Sequence, residues 1–267
     1  MNIFKHEFKM KIKSIIIWSI SLAAFMIFYM AFFPGIAADS EGFNELMGSL
    51  PDEFLQAFGM QQGLSFSTLI GYFTLTFSLI ELAIAIQSAN YGFSILSEEE
   101  RELTADFLMT KPVSRKKIYF AKFFAAFLGL LITTIIVSIS SFIALELFSN
   151  GESYNIQNVI MVLGVIPIFQ LFFVGMGMLI SVIVSKIRSV ISYSLGFAIG
   201  LYVVNSISGI LGSDLLSLIT PFHYFEPGYI LKNGKYDLSL LIISVVVIII
   251  SFIANYILYL KRDIHSL

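Results

Sequence analysis

The sequence predicts an all-α polytopic membrane protein with six transmembrane helices, an N-terminal interfacial helix, a charged cytoplasmic helix and an external re-entrant hairpin before the last span. Three observations lead there. Hydrophobic residues make up 57% of the 267 positions and charged ones 13%, with a mean hydropathy of +0.88, whereas soluble domains carry about 25% charged residues. Six apolar runs are long enough to cross a bilayer as helix, which takes about 20 residues. Finally, Lys232 and Lys235 are the only two of the 16 basic residues on one side of these runs, which leaves 14 on the other. Because Lys and Arg are retained on the cytoplasmic side, both termini are expected there, in a multi-pass protein of the cell (plasma) membrane. Residues 1–267 read as a single transmembrane domain.

The leader comes first. Ile3, Phe4, Phe8 and Ile12 fall near one helical face and Lys5, Lys9, Lys11 and Lys13 mostly elsewhere, the pattern of a helix lying beside anionic membrane lipids. A plain positive anchor fits the same residues. The first span, Ile15 to Ala37, is too long for the core of a cleaved signal, about 7 to 15 residues, and reads as a retained anchor. An acidic outer loop follows, in which Pro51 suits a first helical turn and Phe54, Leu55 and Phe58 form an apolar edge.

The second span, Leu64 to Asn90, carries Glu81, the lone acid read within a span. A mid-bilayer charge costs on the order of 2.5 to 3.5 kcal/mol, so Glu81 should face the protein interior or water. It either bonds a neighbouring helix or relays an ion or proton. The third to sixth spans are Tyr119 to Leu147, Val159 to Val184, Val190 to Leu211 and Leu238 to Leu260. In the fifth, Ser192, Gly196 and Gly200 recur every four residues, a spacing that lets two helix backbones approach closely, within the chain or between subunits. Residues 212–237 contain an apolar core too short to cross and broken by Pro221 and Pro227, hence the hairpin. Its Phe222, Tyr224, Phe225 and Tyr229 suit headgroup depth.

Between the second and third spans lies EEERELTADFLMTKPVSRKKIYFAK, from Glu98 to Lys122, the one dense block of charge. As a helix, Leu96, Leu103 and Phe107 fall within about a quarter turn, while Glu98, Glu99, Glu102 and Asp106 occupy a separate flank, so one side could plug into a partner. Lys111 precedes Pro112, which disfavours helix there, and Ser114 can cap a new helix entering the membrane.

Much chemistry is excluded. There are no cysteines, so disulfides, thiol catalysis and Cys-ligated metals are out. No G-x-x-x-x-G-K-[ST] loop occurs, so this chain does not hydrolyse ATP by that route. His6, His223 and His265 lie outside the spans and build no HExxH zinc site. No cofactor or metal is expected in the chain, and no nucleic-acid partner.

The charged block resembles the cytoplasmic coupling segment of type 2 ABC transporter (ABC-2) permeases: an acidic cluster, Gly-Thr, an apolar helix, Pro-[VI]-Ser-Arg, then Gly-Lys entering the third span. Matching residues are Glu99, Glu100, Thr104, Phe107, Leu108, Pro112, Val113, Ser114, Arg115 and Lys122. Leu103 and Ala121 stand where glycines are usual; neither removes a charge or the proline corner. The resemblance implies a bacterial permease, an exporter rather than an importer, coupled through residues 96–117. Glu99, Glu100, Leu103, Thr104, Phe107, Leu108, Pro112 and Arg115 would then contact the ATPase. It further implies separate ATPase subunits holding ATP and Mg, and a second permease copy or sister permease meeting the first and fifth spans, where Ser192, Gly196 and Gly200 would serve. Two other classes stay open: an ion-coupled secondary transporter using Glu81, which needs no ATPase, and a membrane assembly or signalling subunit that binds a partner without flux. The 27 Phe are demanded by lipid contact and carry no cargo signal.

Overall fold

A computed structural model describes residues 3–50, 65–101, 114–184 and 187–261. Among these, helices α1 (Ile3–Met30), α4 (Leu69–Arg101), α5 (Arg115–Phe148), α6 (Ile156–Ile183), α7 (Val190–Leu211) and α11 (Leu238–Lys261) are long and apolar enough to cross a membrane. Between them lie the short helices α2 (Phe33–Ala38), α3 (Ser40–Gly48), α8 (Asp214–Ser217), α9 (Pro221–Tyr224) and α10 (Pro227–Asn233). The described residues contain no strand.

The first span departs from the single run expected to Ala37. Its helix stops at Met30, turns through Ala31 and Phe32, and restarts as α2. Pro34 is the reason: a proline inside a helix leaves the carbonyl four residues back, here that of Met30, without its donor and clashes with it. At the other end the leader is helical as expected, but it runs into the span without a break. The second span likewise continues past Asn90 to Arg101, because backbone hydrogen bonding propagates a helix after its apolar face has ended.

Helix ends are capped by polar groups the sequence places nearby. Asp39 caps α3 through the Gly42 N–H, and Asn155 caps α6 through the N–H of Gln157 at 2.9 Å. The Glu152 carboxylate, from the loop after α5, accepts the Leu69 N–H at 2.9 Å and caps α4 from 83 positions away. Glu146, inside α5 near its C-terminal end, corrects the reading of Glu81 as the only acid in a span; it accepts a 2.7 Å bond from Tyr154. Burial and that carboxylate push the Tyr154 hydroxyl up to about 12, so it stays a donor.

Two pairings organise the bundle. Helix α1 lies closely along α5, and α4 along α6, with α7 against α4 and α11 against α6. The α4–α6 crossing depends on glycine: a Cβ at Gly92 would sit 2.6 Å from the Val174 carbonyl oxygen, and one at Gly177 would sit 3.1 Å from the Phe93 nitrogen. Close backbone approach replaces hydrophobic burial as the source of association where lipid is as apolar as the helices. Around the crossing Phe93, Phe169 and Phe173 are fully enclosed, as is Phe73 nearer the start of α4.

Residues 212–237 form α8 to α10, with Pro221 and Pro227 opening α9 and α10, where a missing N–H costs nothing. The segment folds back on the bundle. Thr220 donates to the Leu201 carbonyl at 3.1 Å, Phe222 lies 5.3 Å from both Phe169 and Tyr202, and Asn158 donates to the Leu231 carbonyl at 2.8 Å. Phe222, Tyr224 and Phe225 are buried against the protein.

Candidate coupling site

The two helices that bracket the charged block converge at its base. Ser114 has extended backbone and accepts the Lys117 N–H, so it caps α5 where the sequence places a cap. From Arg115 the helix runs without interruption through the third span. Displacement of its first turn is therefore carried along one rigid rod. Arg115 is half-buried in that turn, Glu99 and Glu100 fall on the last turn of α4, and Leu103, Thr104, Phe107, Leu108 and Pro112 lie outside the described residues. Leu96 does not extend an exposed apolar edge: it is buried with Ile15, Tyr91, Ile95 and Tyr119.

Beneath that layer sits a buried ionic cluster drawn from three helices. The Lys122 ammonium on α5 lies 3.6 Å from Glu98 Oε2 on α4 and 3.8 Å from Glu7 Oε1 on α1. Lys11 of α1 donates to the same Glu98 oxygen at 3.4 Å. Lys122 is only 3% exposed. Each charge is costly to desolvate alone, and mutual neutralisation is what makes the group tolerable. Glu98 opens the block and Lys122 closes it, so the two ends of the block meet at this contact, beside the leader.

The remaining expected residues are not gathered here. Glu81 is buried on α4 at 6% exposed, and its carboxylate makes no hydrogen bond among the described residues, so it does not tie two helices by such a bond. The groups nearest in electrostatic terms are Glu226, which precedes α10, and Tyr202 of α7. Ser192 is occupied locally, its hydroxyl 2.9 Å from that of Ser189, which caps α7. Gly196 and Gly200 lie on the exposed face of α7, with no other atom within 4 Å of where a Cβ would stand. Among the described residues they pack against nothing; the α4–α6 crossing uses Gly92 and Gly177 instead.

Sequence reasoning missed Glu7 and Lys11 as cluster members because their partners are far along the chain. The only signal was a lysine and a glutamate at i and i+4 on an otherwise apolar leader face, Glu7 then Lys11.

A family model described as "ABC-2 family transporter protein" matches residues 1–264. No curated protein is matched.

Proposed function

Since the chain belongs to the ABC-2 transporter family and is a membrane-spanning permease subunit of an ABC transporter, we propose that it exports its cargo and takes its drive from separate ATPase subunits through residues 96–117. ATP and Mg are held by those subunits. Two permeases, identical or sister chains, meet through the first and fifth spans and enclose the path. Both termini and the charged block face the cytoplasm of the plasma membrane.

One observation carries the coupling proposal: the continuous helices that precede and follow the block in the chain meet at Glu98 and Lys122. A displacement that reaches Arg115 is therefore passed along α5, which is unbroken through the third span. The exposed Ser192, Gly196 and Gly200 stripe supports the subunit contact, since small residues free of intrachain packing allow a second helix to come near. Purification of the full chain with candidate ATPases, followed by ATP hydrolysis in vesicles, tests the proposal. Recovery of an ATPase whose turnover rises with the permease supports it, and absence of any bound ATPase contradicts it.

A further inference from the structure

The bundle divides lengthwise. Helices α1 and α5 form one closely packed pair, while α4, α6, α7 and α11 form a second group, and the backbones of the two bodies approach each other more sparsely than within either. Polar side chains line the boundary along its length, while within the second body spans are bonded, among the described residues, by Asn90 to Ser194 and by Asn255 to the Gly175 carbonyl. At the outer end Tyr72 donates to the Tyr29 carbonyl at 3.1 Å. In the middle Gln87 donates to Thr133 at 3.0 Å, Thr134 donates to Gln170 at 3.0 Å, and Gln170 donates to the Leu130 carbonyl at 3.5 Å. Toward the cytoplasm Tyr91 donates to Ser14 at 3.3 Å, Tyr119 donates to Asn255, and Glu98 receives Lys11 and Lys122. Every one of these links joins the α1–α5 pair to the other body.

We infer that this polar seam is a shear plane, along which the α1–α5 pair slides against the rest of the permease when the charged block is displaced. The inference rests on the coupling reading above. Its physical basis is the contrast between the two kinds of contact. The α4–α6 contact is held by backbone against glycine and by enclosed aromatics, a fit with one register. Hydrogen bonds between membrane helices average only about 0.6 kcal/mol, and hydroxyl and amide groups can exchange partners as they pass. Tyr91 shows such a choice of partners: its hydroxyl bonds Ser14 across the seam and also lies in hydrogen-bonding reach of Gln87, one turn back along α4. The block itself joins α4, in one body, to α5, in the other, so a partner seated there acts across the plane. The α1–α5 pair is kept whole by Ser19 to Thr133 at 3.1 Å and Lys122 to Glu7.

The absence of native cysteine allows a direct test on the full chain bound to its ATPase in vesicles. Gln87→Cys with Thr133→Cys spans the seam; Ser19→Cys with Thr133→Cys shares one anchor but lies within the α1–α5 pair. Disulfide yield of the first pair should change about tenfold between nucleotide-free and ATP-trapped complexes, as a two-state shift requires, while the second stays constant. Thr134→Cys with Gln170→Cys is a second spanning pair should the first not assemble. Equal yields in both states with the ATPase bound would overturn the shear plane and leave the coupling reading standing. Failure to recover the ATPase on the wild-type chain would overturn the coupling reading and this inference with it.

Discussion

Lys122 is buried between two carboxylates from different helices, and its removal takes a shared cation from both Glu98 and Glu7. Breaking a buried ionic group by deleting one partner costs about 3 kcal/mol or more. Lys122→Met should therefore lower stability by on the order of 3 kcal/mol in detergent unfolding, and adding Glu7→Gln should restore part of it, since neighbours in one network are not additive. Glu81 differs in kind. Its carboxyl group is buried with no hydrogen bond among the described residues, so Glu81→Gln removes an ionisable group without stranding a partner. An ATP-driven permease should keep its activity and its stability in that variant; loss of activity by a folded, ATPase-bound Glu81→Gln protein would instead favour an ion-coupled role.

At the scale of elements, two glycines with the same residue type and opposite surroundings make a sharp comparison. Gly92→Ala forces a Cβ against the Val174 backbone at 2.6 Å, and overpacking of this kind costs about 1 to 3 kcal/mol. Gly196→Ala meets nothing within 4 Å and should raise the stability of the isolated subunit by about 0.5 to 1 kcal/mol through the better helix former. Thermal unfolding of the two variants in detergent checks both signs. The sequence pattern alone favours Gly196, because the four-residue repeat of small residues is visible there, whereas Gly92 meets the Val174 to Gly177 stretch of α6, far along the chain, and no local spacing reports the pairing. The long helices were legible for a simple reason: lipid imposes an apolar run on every one. Their ends were less so. Hydropathy stops at Asn90 while α4 runs to Arg101, and the Pro34 break in the first span is hidden inside an apolar run.

On the scale of the whole molecule, composition and cation placement suffice to read a six-span membrane protein, the permease reading needs the resemblance of the charged block, and the cap at Ser114 is readable from a serine after a proline. What stayed illegible is everything made by pairing across the fold. Lys11 and Glu98 are 87 positions apart, and Gln87, Thr133 and Gln170 look like scattered polar residues until three helices bring them together. The resulting picture is of two bodies joined along a polar seam that ends at Glu98 and Lys122, the two ends of the charged block. Its central claim is that the block passes ATPase movement into the membrane helices. The most direct measurement is ATP turnover by the reconstituted complex carrying Phe107→Asp, compared with wild type and with ATPase binding monitored in parallel. The account predicts that the permease-dependent rise in turnover falls at least about tenfold, a 1.4 kcal/mol loss or more, while the folded permease remains in the membrane. Unchanged turnover with Phe107→Asp in place would contradict it.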